Sequence, residues 1–288
     1  MAKSTQRKPS LSYRVAIVGA GKAGSAVARL LASAGCSTDC VISRTLRTAR
    51  SLARELHAPV VSRQVRDIPA TTNFVLIATN DAMIPEIAES LAKYKHLDFP
   101  RLTVMHLSGA LTRETLAPLH LLGARTLSLH PAFPFSTRSV LPERLQHIRW
   151  GVECEQRNWT KAKTIVAAFG GVPVRLNPKN KIYYHAACTI TSNFIGVLLD
   201  DAARLCEKAD IPRAEAMMLL QPLLSETFDN LFTDMTKPMK QKLTGPAARG
   251  DMDTIARHRE ALNKFPDIEA LYQALTDATI DMMKKNST

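Results

Sequence analysis

The chain has 288 residues, 45% hydrophobic and 22% charged, an ordinary globular composition for one large domain or two moderate ones. Its net charge of +12 is spread along the chain without aromatic interleaving or a nucleic-acid motif, so no nucleic acid is expected and the positive field is read as drawing in anionic small molecules. No run of 18 or more apolar residues occurs, and no membrane span is expected. The five cysteines, at 36, 40, 154, 188 and 206, form no Cys-x-x-Cys pair, which fits a reduced, cytoplasmic setting. Residues 1–12 are polar and basic and read as a disordered tail rather than a secretory signal.

Residues 13–18 are rich in branched side chains and end at glycine, the pattern of a buried parallel strand. A helix is expected over 25–34, where Ala26, Val27, Leu30 and Leu31 recur at helical spacing before Gly35. A strand at 39–43, a basic helix at 45–56 and a short strand at 60–61 follow, then strands at 74–78, 102–107 and 125–129. After the strand at 74–78, Thr79-Asn80-Asp81 reads as a helix cap with Asp81 as acceptor. Strands at 148–153 and 172–176 flank a helix at 159–169. From the cap Asn177-Pro178 onward only helical periodicity remains, over 178–208, 212–232, 251–262 and 267–285. The expected fold is a doubly wound parallel α/β domain over 13–176, followed by an all-α domain over 177–288.

Gly19-Ala20-Gly21-Lys22-Ala23-Gly24 matches Gly-x-Gly-x-x-Gly between a strand and a helix, the fingerprint of a Rossmann dinucleotide-binding domain. Gly19 makes the turn, Gly21 admits the pyrophosphate, and Gly24 allows close helix–strand packing. The helix start, with Lys22 and Ala23, offers free N–H groups to the phosphates. An NAD site places a carboxylate at the tip of the second strand. Here that tip is Ser43-Arg44-Thr45, with Arg47 one turn later, and hydroxyls and guanidinium groups suit a 2′-phosphate, so NADP(H) is expected. Asp39 begins the strand and so lies at its wrong end; Arg50 and Arg54 read as a solvated helix face. Thr79, Asn80 and Ser108, at later strand tips, complete the expected cofactor set.

Ligands of open parallel sheets lie beyond the carboxyl ends of the strands. Polar residues recur there, at Thr79-Asn80, His106-Leu107-Ser108-Gly109 and His130-Pro131. In the helical half, Lys181, His185 and Ser192 share one helix face, with Asn193 beside them. That stripe reads either as a face turned to a cleft or as a buried hydrogen-bond network. His185 and Cys188 lack further ligands at suitable spacing, so no metal is expected. In the loop at 243–251, Asp251 can cap the next helix, and Arg249 either clamps an anionic group or bonds helix carbonyls.

In order, Gly-Ala-Gly-Lys-Ala-Gly, His-Leu-Ser-Gly-Ala, Ser-Leu-His-Pro, Tyr-His-Ala-Ala and Thr-Gly-Pro-Ala-Ala-Arg-Gly-Asp resemble a bacterial family of Rossmann-like proteins with a C-terminal domain of unknown function. The resemblance runs from about residue 13 to 280. That family is similar to pyrroline-5-carboxylate reductase, prephenate dehydrogenase and the β-hydroxyacid dehydrogenases, which transfer hydride between NAD(P) and small carboxylates and are often dimeric through their helices. The resemblance implies that Ser108-Gly109 lies near the nicotinamide and that His130-Pro131 matches a strand exit of the prephenate dehydrogenases. The Lys-x-x-x-Asn pair of the β-hydroxyacid dehydrogenases is not reproduced, because His185 stands four residues after Lys181.

The expected protein is thus an NADP(H)-dependent oxidoreductase, homodimeric through its helical domain, acting on a small anionic carbonyl or imine compound between the domains. His185 is the expected general acid/base, because an imidazole of ordinary pKa, about 6.5, exchanges protons at neutral pH. Lys181 and Asn193 would orient the substrate, Arg249 would pair with its carboxylate, and Ser108 and His130 would line the nicotinamide pocket. Two other readings are a non-catalytic NADP-binding sensor or partner-binding protein, and an oxidoreductase that exchanges hydride with a deazaflavin.

Overall fold

The computed structural model describes residues 8–285. Eight strands form one sheet: β1 (Arg14–Val18), β2 (Ser37–Ile42), β3 (Val60–Ser62), β4 (Phe74–Ile77), β5 (Thr103–His106), β6 (Arg125–Pro131), β7 (Arg149–Cys154) and β8 (Val172–Arg175). Their spatial order is β3-β2-β1-β4-β5-β6-β7-β8, so the direction of winding reverses between β1 and β4 and opens a crevice at the carboxyl ends there. Alternate side chains feed two apolar cores. Ile17, Phe74 and Leu76 face α1 (Lys22–Ser33), α2 (Leu46–Glu55) and α5 (Trp159–Ala168); Ala16, Val75 and Ile77 face α3 (Met83–Leu91) and α4 (Ala117–Leu121).

The last two strands depart from the parallel arrangement of the other six, because β7 pairs antiparallel with β6. Residues 132–148 leave β6 and enter β7 without the crossover helix that a parallel pairing needs. β8 returns parallel to β7 through α5. Of the tail expected at 1–12, residues 1–7 lie outside the described residues. Leu11 belongs to the fold: it is buried, and its N–H donates to the Ala34 carbonyl.

The chain divides into two compact units, Met1–Ser192 and Asn193–Thr288. The helix α6 (Lys181–Lys208) begins in the first and ends in the second, so the division falls within a helix rather than at 177. The second unit continues with α7 (Arg213–Thr233), α8 (Pro246–Arg249), α9 (Met252–Leu262) and α10 (Pro266–Lys284). Among the described residues, 178–208 is the one helical stretch long and apolar enough, by length and composition, to cross a membrane. Thr189, Thr191 and Ser192 interrupt its apolar residues, which is why no unbroken run appears in the sequence.

Candidate active site

A cleft of about 260 Å³ opens where β1, β2 and β4 end, lined among others by Gly19, Ala20, Gly21, Ser43, Arg44, Thr45, Thr79 and Asn80. Gly19 has φ +111°, and a side chain there would run into the Ala78 carbonyl; one on Gly24 would run into the Gly19 carbonyl. These two glycines serve the turn and the helix–strand packing. A Cβ on Gly21, in contrast, would meet nothing within 4 Å, so the loop leaves open space at the position where a pyrophosphate needs it. Gly21 caps α1 without a side-chain hydrogen bond, which suits an anion at the helix start.

Lys22 is exposed, and neither it nor Ala23, which packs against the core, is among the lining residues. Arg47 is likewise exposed and outside the lining, whereas Arg63 and Arg138 belong to it. Among the described residues, no carboxylate lines the cleft. Arg44, Arg63 and Arg138 have no ion-pair partner among the described residues. Asp39 lies inside β2, which begins two residues earlier than expected, and away from the tip, accepting from Arg14 and Thr71 at 3.0 Å. Arg50, Arg54 and His57 line a separate open groove along α2.

Further along the sheet, His106 of β5 pairs with Ser128 of β6, and Ser128 with Glu153 of β7, so three polar residues stand in one row. All three are buried. Lys181, the first residue of α6, is fully buried above them, donating to Ser128 Oγ and the Leu111 carbonyl, with Nζ 3.7 Å from Glu153. Burial lowers Lys181 to about 8, opposed by Glu153, and raises the Glu153 carboxyl. Burial, with Lys181 adding to it, holds His106 down to about 3. For Lys181 the network reading of the polar stripe therefore prevails: its ammonium is committed inside the protein rather than to a substrate.

The next turn of α6 carries Tyr184 and His185 to the rim. The Tyr184 hydroxyl lies 2.9 Å from His130 Nδ1, and the His130 and His185 rings meet edge to face at 5.4 Å. Two glycines make room for them. A Cβ on Gly109 would overlap His185 Nδ1 and stand 2.9 Å from the His130 ring. A Cβ on Gly151, which pairs with His130 across β6 and β7, would stand 3.0 Å from the Tyr184 hydroxyl. Burial lowers His130 to about 4, with His185 and Lys181 adding to it, and raises the Tyr184 hydroxyl. The buried His185 Nδ1 has no hydrogen-bond partner among the described residues. Gly151 carries no sequence signal, and the Tyr-His-Ala-Ala motif does not say what Tyr184 meets; the β6–β7 register and the first turns of α6 bring both to His130.

Ser108 is buried with its hydroxyl fully used, donating to Asp81 at 2.7 Å and accepting from the N–H groups of Ala110 and Leu111. It shapes the loop that carries Gly109. Asp81 is thus no helix cap: α3 starts at Met83 with no side-chain cap. Asn193 and Arg249 belong to the second unit. There Arg249 is exposed on α8, between Gly245 (φ +96°) and Gly250 (φ +72°). Asp251 caps α9 through the Thr254 N–H, as the sequence indicated.

A sheet with a reversal of winding and a glycine loop at that crevice define a Rossmann-like fold. Residues 2–131 match the model of a Rossmann-like domain, and residues 148–279 match DUF2520, a domain of unknown function. The chain carries a Rossmann-like domain followed by a DUF2520 domain, in agreement with the resemblance read from its motifs. No curated protein matches it. Among solved structures it is similar to BF3122 of Bacteroides fragilis, which carries a provisional NADP oxidoreductase name, at 20% identity and TM-score 0.78 over 94% of this chain and 98% of that one. It is also similar to 1-pyrroline-5-carboxylate reductase of Streptococcus pyogenes, at 16% identity and TM-score 0.63 over 95% and 98%. Prephenate dehydrogenase of Aquifex aeolicus gives 15% identity and TM-score 0.54 over 94% and 99%. At such identities the likeness is one of fold, shared with reductases and dehydrogenases.

Proposed function

We propose that the protein is an NADP(H)-dependent oxidoreductase that interconverts a small anionic carbonyl or imine compound with its reduced form. One observation carries the cofactor reading: Ser43, Arg44, Thr45 and Arg63 line the glycine-loop cleft, and no carboxylate among the described residues does. A hydrogen bond to a charged group contributes roughly 1.5–3 kcal/mol, so one Arg44 contact to a 2′-phosphate favours NADP over NAD by about tenfold or more. When bound, the reduced nicotinamide supplies the hydride to the substrate carbon. His185 gives the matching proton to the oxygen or nitrogen and takes it back in the reverse direction. His130, neutral at pH 7 and anchored by Tyr184, holds the face of the site beside it. The anionic substrate class is supported by the +12 net charge.

The protein is further read as a homodimer through its helical half. Of the 21 residues of α7 only Ala216 is buried, while Met218, Leu219, Leu223 and Phe232 are more than half exposed, an apolar face that a second copy would cover. Light scattering on the purified protein should give twice the chain mass; a monomer at micromolar concentration rejects this.

The cofactor is tested by titrating NADPH, NADH and a deazaflavin against the protein. NADPH should bind about tenfold tighter than NADH, and Arg44→Ala should erase that preference. Tighter binding of the deazaflavin, or equal binding of both nicotinamides, overturns the assignment. Tight NADPH binding without turnover on a broad carbonyl and imine panel would instead mark a sensor. His185→Ala should cut turnover by more than about tenfold; a smaller loss removes its acid/base role.

A further inference from the structure

We infer that Arg138 is a phosphate ligand of the nucleotide cleft, held against the dinucleotide pyrophosphate by the connection between β6 and β7. This rests on the cofactor reading above and adds a binding residue that lies far along the chain from the glycine loop. The connection also lies between the two matched domains, which end at 131 and begin at 148.

The connection starts and finishes at one rim, because β6 and β7 are antiparallel and Pro131 pairs with Trp150. That rim is the carboxyl end of β6, the same end of the sheet at which the glycine loop follows β1. The connection is anchored on both sides of Arg138. Before it, Phe133 and Phe135 meet edge to face at 5.2 Å and pack against the core; after it, Val140 and Leu145 are buried. The Thr137 and Ser139 hydroxyls, 3.2 Å apart, flank it directly. A third tie comes from α1: Arg29 donates to the Arg138 carbonyl while its guanidinium also holds Glu55, with Nη2 at 2.9 Å. The backbone at 138 is therefore fixed to the helix that the glycine loop opens.

From this fixed point the Arg138 side chain lines the cleft together with Gly19, Ala20 and Gly21. It is exposed, and no carboxylate neutralises it among the described residues. A guanidinium presents a rigid fork of donors that matches phosphate oxygens, and the space in front of Gly21 is open to receive them. The sheet order separates its task from that of the other two cations. Arg44 follows β2 and Arg63 follows β3, on one side of β1, where the 2′-phosphate is expected. Arg138 comes from beyond β6, on the other side. The glycine loop lies between these approaches, so the pyrophosphate falls to Arg138 and the 2′-phosphate to Arg44 and Arg63.

The test compares the full chain with its Arg138→Gln and Arg138→Lys variants, measuring affinity for NADPH, NADH and adenosine 2′-monophosphate, which has no pyrophosphate. Arg138→Gln should weaken NADPH and NADH by the same factor, about tenfold, and leave the 2′-monophosphate unchanged. Arg138→Lys should recover part of the loss. Arg44→Ala should do the reverse, weakening NADPH and the 2′-monophosphate while sparing NADH. Unchanged affinities in Arg138→Gln overturn the inference. Loss confined to NADPH and the 2′-monophosphate overturns it as well, by moving Arg138 to the 2′-phosphate. If the wild-type chain binds none of the three, the cofactor reading itself falls, a failure visible before any variant is compared.

Discussion

The Tyr184 hydroxyl stands 2.9 Å from His130 Nδ1, and a Cβ on the residue facing His130 across the sheet, Gly151, would crowd that hydroxyl at 3.0 Å. Gly151→Ala and Tyr184→Phe should therefore damage the same interaction. Each should lower turnover about tenfold with little effect on NADPH affinity, and the double variant should be no worse than the poorer single one. Additive losses in a kinetic double-mutant cycle would show that the two residues act apart.

The glycine loop separates folding from binding. Gly24→Ala drives a methyl into the Gly19 carbonyl and should lower the melting temperature by several degrees, on the order of 1–3 kcal/mol for an overpacked site. Gly21→Ala meets open space, so its melting curve should overlay the wild type while dinucleotide affinity drops at least about tenfold. Equal destabilisation by both would contradict this division.

The buried Lys181–Glu153 pair predicts an asymmetry in stability. Lys181→Met leaves the buried Glu153 carboxylate with Arg113 alone, its N–H donating at 2.8 Å and its guanidinium 3.9 Å away, and should cost about 3 kcal/mol in urea unfolding. Adding Glu153→Leu should restore most of that loss, since a matched apolar pair replaces a matched ionic one. If the double variant is as unstable as Lys181→Met, the ionic pair is not the source.

Two histidines make stability depend on mild acid. His106 is held down to about 3 and His130 to about 4, against an ordinary value of about 6.5. As the pH falls below about 6.5, the unfolded chain takes up protons that the folded protein refuses, so stability decreases. Each group contributes up to about 1.4 kcal/mol per pH unit until its folded value is reached. Glu153, raised by burial, works in the opposite sense just above its ordinary carboxylate range, so the window to read is from pH 6.5 down to about 5. The urea midpoint should fall through that window, and His106→Gln should roughly halve the slope. An unchanged slope in that variant would remove His106 as a cause.

How far the sequence could see depended on whether a feature was local. The glycine loop, the strand ahead of it and the arginine-tipped β2 all lie within one stretch, and their chemistry is readable from spacing alone. The spacing of Lys181 and His185 showed a shared helix face but not what lay opposite. That took the row His106, Ser128 and Glu153, assembled from three strands. Asp81 had the residue type and place of a cap, yet Ser108, from the neighbouring strand tip, claims it. Arg63 and Arg138 come from segments with no motif, and only sheet order carries them to the cleft.

Gly109 and Gly151 define the site by absence, since His185 and Tyr184 occupy the volume their side chains would have filled. This constrains the order in which such a site can change. A larger residue at 109 becomes tolerable only after His185 and His130 have made room, and one at 151 only after Leu176 and Tyr184 have done so. Mutational routes that begin at either glycine are closed, and those that begin at its neighbours are open, so descendants of this protein would alter the neighbours first.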